Sequence, residues 1–266
     1  MRVLQPASLL FLVALSGCFP SGEWIPTIWG GESVDDAREP EEAGVFVTED
    51  GCSVALASFV VSVAAGALLA PEGTASAILP GNQLYDLVQP GPHSMASVVL
   101  ETGIYPELAV VLAPAERSED NLVGRARLIG VDHAASDVNP SRGNVTSAQR
   151  DVMVSSGAVA LIRGIVTCSD QAVQLDVLLD DTIGLLRCPT TSFEIPGGSF
   201  GVTQLIVRPE RVLTQGADLL AAGTEDGLVT LEELESAGLD EVLRTAVRGA
   251  WEADAGACVW ESGVTQ

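Results

Sequence analysis

Lysine is absent from the 266 residues, histidine occurs twice and methionine three times. All 13 basic residues are arginine, set against 36 acids, for a formal net charge of −23. Such a chain repels a phosphate backbone and gathers no basic patch, so nucleic acid is excluded as an expected partner. GC-rich codon usage accounts for arginine without lysine, and the acidity suits a soluble surface that stays off other proteins. His93, His133 and three methionines, one of them Met1, leave few soft ligands for a transition metal. No C-x-x-C pair is present, which argues against a cysteine zinc site. Helical periodicity is scarce before residue 214.

The N-terminus is richer in signal. Arg2 gives a minimal positive start, an apolar run covers residues 9–15, and Leu15-Ser16-Gly17-Cys18 follows. Small residues before a cleavage point are what a signal peptidase admits. A cysteine directly after them resembles the lipobox of bacterial lipoproteins, in which the thiol is acylated and becomes the new N-terminus. The expectation is a signal peptide over 1–17 and a membrane anchor at Cys18, since several acyl chains hold where one does not. Phe19 stands where an aspartate would favour inner-membrane retention, so the outer membrane is the expected address.

Setting Cys18 aside leaves Cys52, Cys168, Cys188 and Cys258, an even number in an oxidising compartment. Three pairings are possible. The spacing favours Cys168–Cys188 between neighbouring strands, with Cys52–Cys258 tying the end of the chain to the body.

The Pro, Gly and acid content of residues 18–44 reads as a flexible tether, in which Trp24 and Trp29 either touch the membrane or dock on the body. Residues 54–70 carry no charge, but β-branched Val60, Val61 and Val63 and the lack of flanking Arg or Lys argue against a membrane span. A buried strand pair bent near Ala65-Gly66 is expected there. Further strands are expected over 83–88, 94–101, 107–112, 121–131, 157–167, 172–179, 183–187 and 202–208. Val173, Leu175, Val177 and Leu179 alternate with Gln174 and Asp176, the clearest two-residue period. The fold class is therefore mainly β, an antiparallel β-sandwich or open barrel over 45–213. Short helices over 215–222, 231–237 and 239–249 make a C-terminal helical appendage, residues 214–249, and 250–266 reads as a tail.

The appendage contains a helix, an acidic Gly-containing loop and a helix. An EF-hand loop places oxygen ligands at positions 1, 3, 5, 7, 9 and 12, with glycine at 6. With Gly227 at position 6, Thr224 falls at 3, Asp226 at 5, Thr230 at 9 and Glu233 at 12, while Ala222 stands at 1. Without carboxylates at 1 and 3, calcium binding is expected to be weak or nil, and the motif degenerate. Gly197-Gly198-Ser199-Phe200-Gly201 matches the G-x-S-x-G of a hydrolase elbow, but a strand is expected after it and both histidines precede it. A turn is the simpler reading. Asp132-His133 with Asp137 offers a metal corner or an acid/base pair, with a lone exposed loop histidine the commoner case, and Asn144-Val145-Thr146 matches a glycosylation acceptor by chance.

Glu49-Asp50-Gly51-Cys52-Ser53-Val54, Phe59-Val60-Val61-Ser62-Val63 and Tyr85-Asp86-Leu87-Val88-Gln89-Pro90-Gly91-Pro92 together resemble a group of envelope lipoproteins of myxobacteria and related deltaproteobacteria. Ile195-Pro196-Gly197-Gly198 through Val207, and Gly227-Leu228-Val229-Thr230-Leu231-Glu232-Glu233-Leu234, are similar to their turn, strand and EF-hand-like loop. The later part is distantly similar to MbnP-like periplasmic copper-binding proteins. That resemblance implies metal handling beside an outer-membrane protein partner. This chain departs from it at Arg208-Pro209-Glu210-Arg211, where relatives place histidines and an acid, leaving Glu210 as the one ligand-competent side chain.

The functional expectation is a non-enzymatic binding or assembly module at the cell envelope. The alternatives are a calcium- or copper-handling surface protein, or a hydrolase using two carboxylates about 5–9 Å apart.

Overall fold

A computed structural model describes residues 21–31, 44–73, 75–79, 83–115, 139–140, 144–180, 184–223 and 227–261. The chain opens with β1 (Ser21–Trp29) and β2 (Val45–Val47), then the long β3 (Ser53–Leu69). β4 (Ala75–Leu79), β5 (Gln83–Asp86), β6 (His93–Ser94), β7 (Ala96–Glu101) and β8 (Gly103–Leu112) follow. After β9 (Asn139–Pro140) and the helix α1 (Ser147–Ser156) come β10 (Ala160–Cys168), β11 (Gln171–Leu179), β12 (Gly184–Ile195) and β13 (Phe200–Val207). The last part runs α2 (Pro209–Val212), α3 (Gly216–Ala222), β14 (Leu228–Val229), α4 (Leu231–Ala237) and α5 (Asp240–Gly249). It closes with β15 (Trp251–Ala253), β16 (Gly256–Ala257) and β17 (Val259–Glu261).

The protein is mainly β, with few helices, and its curled sheets fit a sandwich or open barrel. One seven-stranded sheet has the order β16-β15-β13-β1-β7-β9, with β6 also on β1. The other has ten strands in the order β14-β11-β10-β3-β8-β12-β17, with β2, β4 and β5 also on β3. Pairing is antiparallel except for β1 with β13 and β11 with β14, so both sheets are mixed. The main core draws Trp24, Ile28, Leu205 and Trp251 from the first sheet and Phe59, Leu68, Leu108 and Leu175 from the second.

Residues 53–69 form one strand, not the expected bent pair. Its register against β8 shifts between Val63 and Ala65, so the irregularity near Ala65 is a bulge that the strand runs through. Up to Ser58 alternate residues are exposed, and beyond it all are buried. Five strands pair with β3, which makes it the spine of the larger sheet and explains its uniform apolarity.

Two segments expected outside the body contribute strands to it. The composition of residues 18–44 predicts a tether, yet β1 within them is an inner strand, parallel to β13 and antiparallel to β7. Trp24 is fully buried and donates its indole N–H to Thr203 Oγ1 at 2.8 Å. Its partners lie far along the chain, so no local period announces the strand, and Pro26 with flanking glycines resembles a linker. A tail is expected over 250–266, but Trp251 is fully buried, β15 extends the first sheet and β17 closes an edge of the second.

All four remaining cysteines form disulfides, with partners other than those expected. The bridges are Cys52–Cys168 and Cys188–Cys258, not Cys168–Cys188 and Cys52–Cys258. Ser53 lies opposite Thr167, so Cys52 and Cys168 extend the β3–β10 ladder by one position. Arg187 lies opposite Val259, so Cys188 and Cys258 extend β12–β17 in the same way. Cys168 and Cys188 sit on strands separated by β3 and β8, roughly 14 Å apart at ordinary strand spacing and beyond the reach of a disulfide.

The appendage helices α3, α4 and α5 agree closely with the expected spans, whereas α1 was not expected. The signal was present: Thr146 and Gln149 form a reciprocal capping box, and Gly157 ends the helix at φ 64°. The strand expected over 121–131 lies outside the described residues.

Candidate functional site

Of the expected calcium ligands, Thr224 and Asp226 lie outside the described residues, as do Cys18 and the Asp132-His133 corner. Gly227 takes a φ of 75°, the left-handed turn that position 6 of the loop requires. Val229 is fully buried and β14 pairs with the edge of β11, fixing the loop against the larger sheet. Thr230 caps α4, and the Glu233 carboxylate accepts from the Thr230 hydroxyl and, at 2.9 Å, from its backbone N–H. Those bonds hold the Glu233 carboxyl below its ordinary range. The back half of the loop thus keeps its shape by capping and packing. Among the described residues no group of three or more His, Cys, Asp or Glu side chains is placed to hold a metal.

Where the resemblance would put histidines, the chain builds an ion cluster. Arg208 meets Glu252 at 2.8 Å and Glu210 at 3.5 Å, and Arg211 also reaches Glu252. Burial pushes the Glu252 carboxyl up, but the two guanidinium groups outweigh it and hold the group below its usual range. Glu210, the one candidate ligand kept there, is engaged with Arg208. The G-x-S-x-G segment is the turn between β12 and β13, with a strand after it. Gly198 takes a φ of 70°, and the Ser199 carbonyl accepts the Glu23 N–H. His93 lies on β6 with its ring nitrogen Nε2 3.2 Å from the Gln89 carbonyl.

Two polar knots were not singled out in the sequence. Asp86, 2% exposed, accepts from Phe59 N–H at 3.1 Å, Ser58 Oγ at 3.2 Å and Gln149 Nε2 at 2.6 Å. Asn144 brackets the Asp86 backbone, accepting its N–H at 2.7 Å and donating to its carbonyl at 2.9 Å. This occupies the amide of the chance glycosylation match in joining α1 to β5. Asp50 forms the second knot. It accepts Gly216 N–H at 3.1 Å and Ala217 N–H at 2.7 Å, capping α3, and takes a further bond from the Thr48 hydroxyl. The Thr48 hydroxyl, followed by the two backbone donors, lowers its pKa. A Cβ on Gly216 would lie 2.5 Å from Cys52 Cβ, so glycine alone lets α3 rest on the Cys52–Cys168 bridge.

The outer face of the smaller sheet is the remaining feature. Phe200 and Val99 lie opposite Glu23 on its two sides, and Val202 lies opposite Ile25. Phe200 is 61% exposed, Val99 55% and Val202 40%. Gly198 N–H binds the Ser21 carbonyl, and Glu101 lies opposite Ser21, so two tight turns flank the strand's first residue. No helix among the described residues is long and apolar enough to cross a membrane. No family model, curated protein or solved structure matches the chain.

Proposed function

We propose that the protein is an exported envelope lipoprotein, anchored in the outer membrane through an acylated Cys18, whose body is a non-enzymatic binding or assembly module. One juxtaposition carries the reading: Leu15-Ser16-Gly17-Cys18 stands three residues before the first strand of a body whose other four cysteines are all in disulfides. A thiol reserved for lipid beside thiols paired in bridges fits a compartment beyond the cytoplasm. The MbnP-like and lipoprotein resemblance supports an outer-membrane protein as the partner class.

Mass spectrometry of protein purified from native membranes tests this directly. The expected product begins at a diacylglyceryl-modified Cys18, and Cys18→Ala releases the chain in soluble form. A product that starts at Met1, or that carries free thiols throughout, overturns the reading.

The left-handed Gly227 and the Thr230–Glu233 geometry favour a second reading, calcium handling at the appendage loop. Isothermal titration with calcium chloride decides it, because affinity weaker than millimolar removes calcium from the function.

A further inference from the structure

We propose that the outer face of the smaller sheet around Phe200, Val202 and Val99 lies on the lipid bilayer beside the anchor, so that the body has one fixed orientation. The inference rests on the lipoprotein reading above and adds a docking surface to it. Between Cys18 and Ser21 there are three Cα–Cα steps, which span at most about 11 Å. A chain of that reach cannot hold the body away from the membrane, as a flexible segment over 18–44 would have done. The bilayer interface is itself roughly 5–8 Å deep on each side of the hydrocarbon. Whatever surrounds Ser21 therefore meets headgroups.

The residues around Ser21 are suited to that contact. Phe200 and Val99 flank Glu23, two positions from Ser21, each at a neighbouring-strand distance of about 5 Å. Both are more than half exposed, and Val202 continues the patch along β13. Apolar side chains seat to about 5–10 Å in the headgroup and acyl boundary. The contact is apolar and not electrostatic, because β1, β7 and β13 contain no basic residue and carry Glu23 and Glu101 at this end. Uncharged, zwitterionic lipid is thus the preferred surface, and anionic lipid weakens the contact.

The test uses Cys18-acylated protein in phosphatidylcholine vesicles whose acyl chains carry bromine, a contact quencher of tryptophan. Phe200→Trp and Val99→Trp place a reporter in the patch, and the emission of the four native tryptophans is subtracted using the parent protein. Val259→Trp is the control. Val259 is 63% exposed and lies opposite Arg187, which is six ladder positions along β8 from the Ile195 pair and so about 20 Å from the Ser21 end. Reporters at 200 and 99 are expected to lose most of their added emission to bromolipid, while the reporter at 259 keeps its own. If neither patch reporter is quenched, or all three are quenched alike, the docking surface is refuted while an acylated Cys18 in the same sample leaves the anchor standing. If Cys18 carries no lipid, the anchor and the docking surface fall together.

Discussion

Asp50 holds the helical appendage with a single carboxylate, and its energetics can be read from the bonds it accepts. Removing a carboxylate that accepts the first N–H groups of a helix costs about 1 kcal/mol, as removal of a local N-cap does, so Asp50→Ala is expected to lower the free energy of unfolding by about that amount. The Asp50 pKa is lowered in the folded protein, so its contribution is present above the unfolded value near 3.8 and is lost as pH falls through the lower folded value. Denaturant curves of parent and variant should therefore differ at pH 7 and converge once the pH falls below the folded value. A gap that does not close at low pH would assign the effect to packing. Gln149 has a different role, since it closes the α1 capping box and donates to buried Asp86 and Ser58. Gln149→Ala removes both at once and is expected to cost about 2–4 kcal/mol in urea unfolding. Both residues stand in readable local motifs, T-x-x-Q before a helix and an acid before a cysteine, but their long-range partners do not. Asp50 meets a helix that begins 166 positions later, and spacing along the chain carries no trace of that.

At the scale of elements, β1 separates the two accounts of the N-terminal region most sharply. Trp24→Ala in a tether would leave stability unchanged, whereas emptying a fully buried indole site costs about 3–5 kcal/mol. Thermal unfolding of that variant measures the difference, with amide exchange at Ile28 as a second reading. Strands with regular alternation, such as β11, were legible because each inward position supplies its own signal. β1 was not, because it is made a strand by β13 and β7 on either side. The disulfides follow the same logic. Each links opposite positions at the end of an antiparallel ladder, and ladder neighbours are set by sheet order rather than by proximity in sequence. A non-reduced peptide map is expected to show only Cys52–Cys168 and Cys188–Cys258. The loops they close, 116 and 70 residues, correspond to about 4–5 kcal/mol each by chain entropy. Replacing either pair by alanine should lower stability by up to that amount.

For the whole molecule, the consequence of folding residues 21–31 and 250–261 into the sheets is that the lipid, if Cys18 bears it, attaches to a rigid body. Under the proposed anchor, that rigid attachment would set which face looks outward. Calcium titration and mass spectrometry address different parts of this assembly and can fail separately. The apolar run at 54–70, the turn chemistry, the cysteine parity and the appendage helices were set down locally, since short-range periodicity and Gly or Pro conformational preferences act within a few residues. Which strands became neighbours, which sulfurs met, and that the expected tether supplies an inner strand while the expected tail supplies edge strands were decided only in three dimensions. Those outcomes depend on burying faces that no single segment can cover, so the deciding free energy lies in contacts between residues far apart along the chain.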